Sequence, residues 1–377
     1  MSDIPGFGGG KAYARSLVKS AEAAMKDVLA VKRNERLLII SNPNPGTRDI
    51  AMSLFDAALE NAASPVLAFQ GEKGQFDYTE EEIIKALSTE PEIVLSISKD
   101  RMGLDRHGLR HGYKGKRRYD SLFDMLYYEG KMRAFWSPGI TTDTFSRTVA
   151  IDYSTLRMDC RKLVREMTKA ESIRVTSPSG TDITIGVKGR VPKSDDGDFR
   201  QPGKAGNIPS GEVYVSPTIG LTDGVIAFDG SIALNEGEVV IRKPIVTEVR
   251  KGFIRSISGG AEAEKLRRSV REGELNARRM GKAGELKPSI ADKYYRNARA
   301  IGELGIGLNR KARIVANMLE DEKVYGTCHF AVGSNYDGDA DALIHLDGLV
   351  KSPTITAIAA KSRREKQLMV DGKLVWD

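Results

Sequence analysis

Residues 36–69 read RLLIISNPNPGTRDIAMSLFDAALENAASPVLAF, and this stretch decides the fold class of the first part of the chain. Arg36–Ile40 is a short apolar run that ends in a loop rich in Asn, Pro and Gly, and Pro65–Phe69 is a second apolar run. The residues between them have helical spacing of small and apolar side chains, at Ala51, Leu54, Ala58 and Ala62. Strand, helix and strand in this order predict a parallel pair joined by a crossover helix.

The same alternation continues to residue 150. Thr79 and Glu82 have the spacing of a capping box before a helix that runs through Leu87, and Glu92–Ile97 and Arg133–Trp136 are further strand candidates. This pattern predicts a doubly wound parallel sheet. The loop after the first strand lacks both the G-x-G-x-x-G and the Walker patterns, so the sequence offers no evidence for nucleotide binding.

The pattern of predicted secondary structure changes after residue 150. Residues 152–171 predict an amphipathic helix, and several alternating segments separated by Gly, Pro, Asp and Ser then predict strands. A chain of 377 residues is long enough for two cores. We therefore expect an α/β protein with an N-terminal doubly wound parallel-sheet domain over residues 1–150. A C-terminal β-rich α+β metal-binding domain is expected over 151–377.

The basic charge balance raises the question of a nucleic-acid partner. The formal net charge is +7 and the isoelectric point is about 9.1. Basic residues are nevertheless spread along the chain and mixed with acidic ones, so we expect no nucleic-acid partner. The densest basic stretch is HGLRHGYKGKRR, residues 107–118. Its glycines predict a solvated surface loop, and a patch for an anionic ligand is the alternative.

Composition also bears on the cellular setting. No run of eighteen apolar residues suggests a membrane span, and the glycine-rich start MSDIPGFGGGKAYARS does not resemble a signal peptide. The chain has two cysteines, Cys160 and Cys328, which are too few for a disulfide scaffold, and Cys328 is expected to be a packed thiol. We expect a cytoplasmic protein without a membrane partner.

Two of the four histidines lie in a carboxylate-rich segment between residues 301 and 347. Imidazole nitrogens and carboxylate oxygens are the ligands that suit zinc, cobalt, manganese or iron. In LIHLDGL, one residue lies between His345 and Asp347. On a strand both side chains therefore point to one face and can hold one metal ion. Glu303 is expected to follow a helix over 290–302, at a point where glycines allow close backbone approach.

Four motifs in this order resemble the aminopeptidase T family of metallo-aminopeptidases, which includes aminopeptidase S and PepS: NIPSGEVYVSP, NARAIGELGIGLN, LEDEKVYGTCHFAVGSNY and IHLD. The specific likeness covers roughly residues 205–350. The resemblance implies two divalent ions (Zn, Co or Mn) bridged by Glu303. The implied ligands are Glu212, Glu303, Glu322, His329, His345 and Asp347.

The resemblance also implies a reaction. A metal-activated water would hydrolyse the N-terminal residue from a short peptide, and Glu212 or Glu322 would accept the proton of that water. Tyr336 would stabilise the developing oxyanion or donate a proton. Relatives of this kind suggest a homodimer.

Two other functions remain open from the sequence. The ring-cleaving 2,5-dihydroxypyridine dioxygenases resemble this scaffold, and a mononuclear Fe(II) site could use His329, His345 and Asp347. In that group the position of Glu303 is a histidine, so the glutamate here favours the hydrolytic site. A non-catalytic, metal-stabilised binding protein is the second alternative.

Overall fold

The computed structural model describes residues 14–74, 77–359 and 365–377. They form two compact units. The first comprises the described residues up to Arg157 together with Asp195–Ser210, and the second comprises Met158–Ser194 and the described residues from Gly211 onward. The glycine-rich start, which does not resemble a signal peptide, lies largely outside the described residues.

The strands are short and are distributed along both units. In chain order they are β1 (Arg36–Ser41), β2 (Ser64–Phe69), β3 (Ile93–Ile97), β4 (Tyr113–Lys114), β5 (Arg118–Tyr119), β6 (Arg133–Trp136), β7 (Ser172–Thr176), β8 (Asp182–Gly186), β9 (Lys193–Asp195), β10 (Ala205–Asn207), β11 (Glu212–Val215), β12 (Thr222–Phe228), β13 (Ser231–Leu234), β14 (Gly237–Val240), β15 (Ile245–Arg250), β16 (Phe253–Ser258), β17 (Ile301–Gly307), β18 (Thr327–Gly333), β19 (His345–Lys351), β20 (Thr354–Ile358), β21 (Glu365–Val370) and β22 (Lys373–Leu374).

Most of the described helices lie in the first unit. They are α1 (Arg15–Ala23, which continues as a π-helical turn over Ala24–Val28), α2 (Pro45–Glu60), α3 (Glu81–Leu87), α4 (Arg106–His111), α5 (Leu122–Tyr128), α6 (Thr142–Thr148), α7 (Tyr153–Met167), α8 (Ala261–Lys282), α9 (Pro288–Asn297) and α10 (Met318–Asp321). None of the helices in the described ranges is long and apolar enough to cross a membrane.

The first unit is built on the predicted parallel sheet. Its strand order is β10-β6-β3-β1-β2, and every neighbouring pair is parallel. All five residues of β3 are buried, as are the last five of β1, because helices cover both faces of a sheet of this kind. The apolar runs of the sequence therefore identified the central strands correctly.

Local helix starts differ from the sequence expectation. The helix α3 begins after Glu80, and the Thr79 hydroxyl bonds to the Met102 carbonyl instead of forming a capping box. The basic segment 107–118 is not an irregular loop, because it forms most of α4 and the hairpin β4–β5. The Asp105 carboxylate stabilises this start by accepting hydrogen bonds from the backbone of Gly108 and Leu122.

The second unit is β-rich, as expected, and contains two large sheets. The eight-stranded sheet has the order β16-β15-β12-β8-β7-β20-β21-β22, and the seven-stranded sheet has the order β14-β13-β19-β18-β17-β11-β9. Every residue of β17 and of β18 is buried. These two strands are the centre of the seven-stranded sheet, and they run through the candidate region around Glu303 and His329.

The division between the units differs from a boundary at residue 150. The chain crosses from the first unit to the second inside α7, and residues 195–210 return to the first unit. The return has a clear cause, since β10 pairs in parallel with β6 and so extends the first sheet. A pairing between segments about 70 residues apart leaves no local sequence signal.

Shortening a side chain in the central strand of the second sheet should destabilise the protein. Phe330 is fully buried in β18, so Phe330→Ala is expected to lower the free energy of unfolding by about 3–5 kcal/mol through the cavity it leaves. Val240 lies exposed on the edge strand β14, and Val240→Ala should change it by less than about 0.5 kcal/mol. Urea unfolding followed by circular dichroism measures both, and equal effects would contradict the proposed core.

Candidate metal centre

Four adjacent strands carry the candidate residues on one face of the seven-stranded sheet. The strands β11, β17, β18 and β19 are antiparallel neighbours. Ala331 of β18 lies between Glu303 of β17 and Asp347 of β19 in one cross-strand row. Because alternate residues of a strand share a face, the rows two residues away on either side point the same way. The sheet therefore brings together Glu212, Glu303, His329, His345 and Asp347.

Small residues opposite these side chains leave room for them. Each donor has a glycine or an alanine as its partner on one neighbouring strand, namely Gly307 for Glu212, Gly305 for His329, Gly333 for His345, and Ala331 for Glu303 and Asp347. On its other side His329 pairs with Leu349. Bulky partners would fill the space in which the imidazoles and carboxylates meet. The glycines of GELGIG and the alanine of HFAVG thus have a packing role at this face.

Gly305 has the clearest steric role. A Cβ atom at this position would lie 2.0 Å from Nε2 of His329, so the imidazole lies directly over the glycine backbone. A side chain here would displace the ring. Gly305 therefore sets the direction in which the His329 nitrogen points.

The first donor group contains Glu212, Glu303 and His329. The His329 Nε2 atom lies 3.3 Å from Oε1 of Glu303 and 3.6 Å from Oε2 of Glu212. All three side chains are buried. Glu303 lies on strand β17 and not after a helix as the sequence suggested, because α9 ends at Asn297 and a β-bulge precedes the glutamate.

The second donor group contains Glu303 again, with His345 and Asp347. The His345 Nε2 atom lies 3.4 Å from Oδ1 of Asp347 and 3.7 Å from Oε2 of Glu303. The other ring nitrogen, Nδ1, lies 2.9 Å from the carbonyl oxygen of Ser334. A hydrogen bond at Nδ1 orients Nε2 toward the carboxylates, as is common for metal-bound histidines.

The donor set fits metal ions by two observations. Among the donor residues, three buried carboxylate oxygens have no hydrogen-bond partner in the described part of the chain: Oε2 of Glu212, Oε2 of Glu303 and Oδ1 of Asp347. An unpaired buried carboxylate oxygen is costly, and a cation offsets that cost. Donors that share one ion at roughly 2.1 Å stand about 3.0–3.5 Å apart, close to the separations seen here.

The pKa values describe how the metal-free centre balances its charges. Burial alone would lower the pKa of His329, but the hydrogen bond to Glu303 and the other carboxylates raise it to about 9. Burial is likewise outweighed at His345, where Asp347 and Glu303 raise the pKa to about 10. Protonated imidazoles therefore neutralise the carboxylates when no metal is bound, and a metal ion must replace those protons.

Glu322 lies outside both donor groups. Its Oε1 atom is 2.7 Å from Nζ of Lys323, whose ammonium is also 2.6 Å from Oε1 of Glu212. Burial raises the pKa of Glu322 to about 8, although Lys323 opposes this shift. The expectation that Glu322 is a metal ligand stays a prediction. In the structure its carboxylate lies next to the donor Glu212, because both contact the Lys323 ammonium.

Tyr336 lies at the edge of the centre. Its ring centroid is 5.2 Å from that of His345 and 5.5 Å from that of Tyr214. The residue is 57% exposed. Desolvation of the hydroxyl and the neighbouring carboxylates, Glu303 first among them, raise the pKa of Tyr336, so the phenol keeps its proton and can donate it in a hydrogen bond.

Sequence reasoning missed Lys323 and the role of the small residues. Lys323 is part of the motif LEDEK, but a lysine beside two acidic residues usually indicates a solvated turn. From sequence, the glycines of GELGIG predict only a close approach of the backbone. The sequence carries no signal for the role of Gly305, because its pairing with His329 depends on the register of two strands. Cys328 is buried as expected, and burial raises the pKa of its thiol.

A known protein family matches the part of the chain that carries the donor residues. Residues 142–357, more than half of the chain, match the family model NicX, described as 2,5-dihydroxypyridine 5,6-dioxygenase. The chain belongs to this family. The region that matches the NicX family contains both donor groups, Tyr336 and Lys323.

One curated relative supports the same family. The 2,5-dihydroxypyridine 5,6-dioxygenase of Pseudomonas putida KT2440 is 26% identical to this NicX-family chain over 192 residues, which are 48% of this chain and 49% of that protein. The chain thus matches about half the length of this relative.

Two solved structures share the fold of this NicX-family chain. The 2,5-dihydroxypyridine dioxygenase from Pseudomonas putida KT2440 superposes with a TM-score of 0.69 at 16% identity, over 97% of this chain and 99% of that one. Wild-type AmpT from Thermus thermophilus gives a TM-score of 0.65 at 17% identity, over 97% and 100%. At such identities the likeness establishes the fold only. It therefore supports the resemblance to aminopeptidase T in fold.

Adding a methyl group at Gly305 should disrupt the first donor group. Gly305→Ala places a Cβ against the His329 ring, so the apparent affinity for divalent metal is expected to fall by about tenfold or more. Gly46 has nothing within 4 Å of its Cβ position, and Gly46→Ala is the control that should leave metal binding unchanged. Calorimetric titration of the metal-stripped variants measures both. Equal affinities would show that the His329 ring does not depend on Gly305.

Metal affinity should rise with pH between about 7 and 9. The pKa values of His329 and His345 are raised from 6.5 to about 9 and about 10 in the metal-free protein, so both rings carry protons that a metal ion must displace. The stability of the metal-free protein has the opposite pH dependence. The raised histidine pKa values stabilise the fold fully below pH 6.5, and this contribution to the free energy of unfolding is lost as the pH rises through about 9–10. Titrations in two buffers of different ionisation enthalpy count the protons released, and release of none at pH 7 would contradict this charge state.

Proposed function

We propose that this protein is a metal-dependent hydrolase that removes N-terminal residues from short peptides. The observation that carries the proposal is the orientation of Glu303, which directs Oε1 toward His329 and Oε2 toward His345. A carboxylate that belongs to two donor groups at once is suited to bridging two ions. Pairs of ions bridged in this way, about 3.5–4 Å apart, are typical of hydrolytic centres, including those of aminopeptidases.

The composition of the donor set supports two divalent ions. Glu212, Glu303 and Asp347 contribute three negative charges, and the two imidazoles can be neutral ligands. Nitrogen and oxygen donors of this kind suit zinc, cobalt or manganese. Two ions would leave a small positive excess, which favours a substrate group with negative or partial negative charge, such as a carbonyl oxygen. When bound, such ions lower the pKa of a coordinated water and polarise a carbonyl group.

The residues around the donors can perform the proton transfers. Oε1 of Glu212 accepts a hydrogen bond from Lys323, and the unpaired Oε2 faces His329 at 3.6 Å, so Glu212 is better placed as a ligand than as a base. Glu322 contacts Lys323 through one oxygen and belongs to neither donor group, which makes it our candidate for the proton acceptor. Tyr336 keeps its proton and can stabilise a developing oxyanion from the exposed side of the centre.

Ring-cleaving dioxygenase activity is the second candidate. Membership of the NicX family and the Pseudomonas putida relative favour it. It would require one Fe(II) held by His329, His345 and Asp347. In the described residues the two histidines fall into separate donor groups, each facing Glu303, and this separation favours the hydrolase. A homodimer, a cytoplasmic location and short peptides as substrates stay predictions.

Glu303 should be essential for metal content and for hydrolysis. Glu303→Gln removes the shared charge, so we expect at least one of two bound ions to be lost and hydrolysis of aminoacyl and dipeptide substrates to fall by at least about a hundredfold. His345→Ala should have a similar effect. Elemental analysis gives the metal per chain, and Glu248→Gln, a substitution of an exposed glutamate on strand β15, is the control.

The competing functions give different results in the same preparations. Two ions per chain with peptide hydrolysis support the proposal. One iron with oxygen uptake on 2,5-dihydroxypyridine, and no peptide hydrolysis, would replace it with the dioxygenase. Bound metal without turnover on either substrate class, and no change beyond metal loss in Glu303→Gln, would indicate a non-catalytic metal-stabilised protein.

A further inference from the structure

Lys323 is a fully buried lysine whose ammonium lies between two carboxylates of the centre. Its side chain is 0% exposed, and Nζ is 2.6 Å from Oε1 of Glu212 and 2.7 Å from Oε1 of Glu322. A buried ammonium is costly unless it is paired, so these contacts hold it firmly in place. The lysine is therefore a fixed positive charge beside the donors.

The fold positions this lysine through its backbone. The carbonyl oxygen of Lys323 accepts a 2.7 Å hydrogen bond from the amide of Asn309, just after strand β17. Gly307 allows the approach, since a Cβ there would lie 2.2 Å from the carbonyl oxygen of Val324. Gly307 is also the cross-strand partner of Glu212. The same close contact thus brings the Lys323 segment against the strands that carry the donors.

The ammonium affects the two donor groups unequally. It contacts Oε1 of Glu212 and leaves Oε2 of that residue facing His329, at 3.6 Å from Nε2. An ion bound at Oε2 would share one carboxylate with the ammonium, and like charges at such a distance repel each other. The second group takes its own charge from Asp347, whose Oδ1 faces His345 at 3.4 Å.

We propose that Lys323 is a positioning residue that orients Glu212 and makes the two ion sites unequal in affinity. The site of Glu303, His345 and Asp347 fills first. The site of Glu212, Glu303 and His329 fills second and more weakly, because the Lys323 ammonium partly neutralises Glu212. The inference rests on the proposed two-ion function and deepens it, by assigning one ion as resident and one as exchangeable.

The order of filling can be measured on the full-length protein. The protein is stripped of metal with a chelator and titrated with Co²⁺ alone, followed by calorimetry and by visible absorption. We expect two steps whose affinities differ by about tenfold or more. Glu212→Gln should remove only the weaker step, and Asp347→Asn should remove the tighter one. The reverse assignment, or two ions of equal affinity, would overturn the inference.

Substitutions of the lysine test the cause of the difference. Lys323→Met removes the charge at similar length and should bring the two affinities to within about threefold, whereas Lys323→Arg keeps the charge and should preserve the gap. Lys188→Met is the control, because this lysine is exposed and pairs with Glu171. A gap that is unchanged or wider in a folded Lys323→Met protein would overturn the proposal. If that variant does not fold, the Glu212 and Asp347 variants still decide the order.

The result is separable from the fate of the proposed function. Two equal ions together with peptide hydrolysis would refute the role of Lys323 and leave the hydrolase intact. A single bound ion together with oxygen uptake would refute the hydrolase itself.

Discussion

The carboxylate of Glu303, buried between two imidazoles, is the interaction on which the centre depends. A buried carboxylate is stable only when cations or hydrogen-bond donors surround it, and here His329 and His345 face its two oxygens at 3.3 and 3.7 Å. In the metal-free protein these rings supply the positive charge as imidazolium groups. Metal ions would take over that task with the same geometry. The donors are therefore already in place before any ion binds.

This arrangement is possible because the sheet alternates functional and small residues across its strands. Gly305, Gly307, Gly333 and Ala331 lie opposite the donors and carry no side chain larger than a methyl group. Gly307 has a second role, since it admits the backbone that carries Lys323. The centre thus depends on the absence of large side chains opposite the donors as well as on the donors themselves.

The fold alone does not distinguish the two enzymatic functions. A 2,5-dihydroxypyridine dioxygenase and an AmpT protein superpose on this chain almost equally well, with TM-scores of 0.69 and 0.65. One scaffold can hold different chemistry when a few side chains change, so function has to be argued from the site. A glutamate at position 303 is suited to bridging two metal ions. The buried Lys323 adds a fixed positive charge that neither the fold nor the family comparison reveals.

The sequence by itself determined the parallel sheet of the first unit, the β-rich character of the second, and the candidate donors. Apolar runs and period-two alternation are local properties, and His345 and Asp347 share a face on any strand. Only the tertiary structure decided which residues meet. Strands far apart in the chain pair in registers that local sequence does not specify, and these registers place Glu212 and Glu303 beside His329. They also return residues 195–210 to the first unit. The burial of Lys323 follows from the same long-range packing, because a single charged residue in a turn becomes part of a centre only when a distant glycine lets its backbone approach.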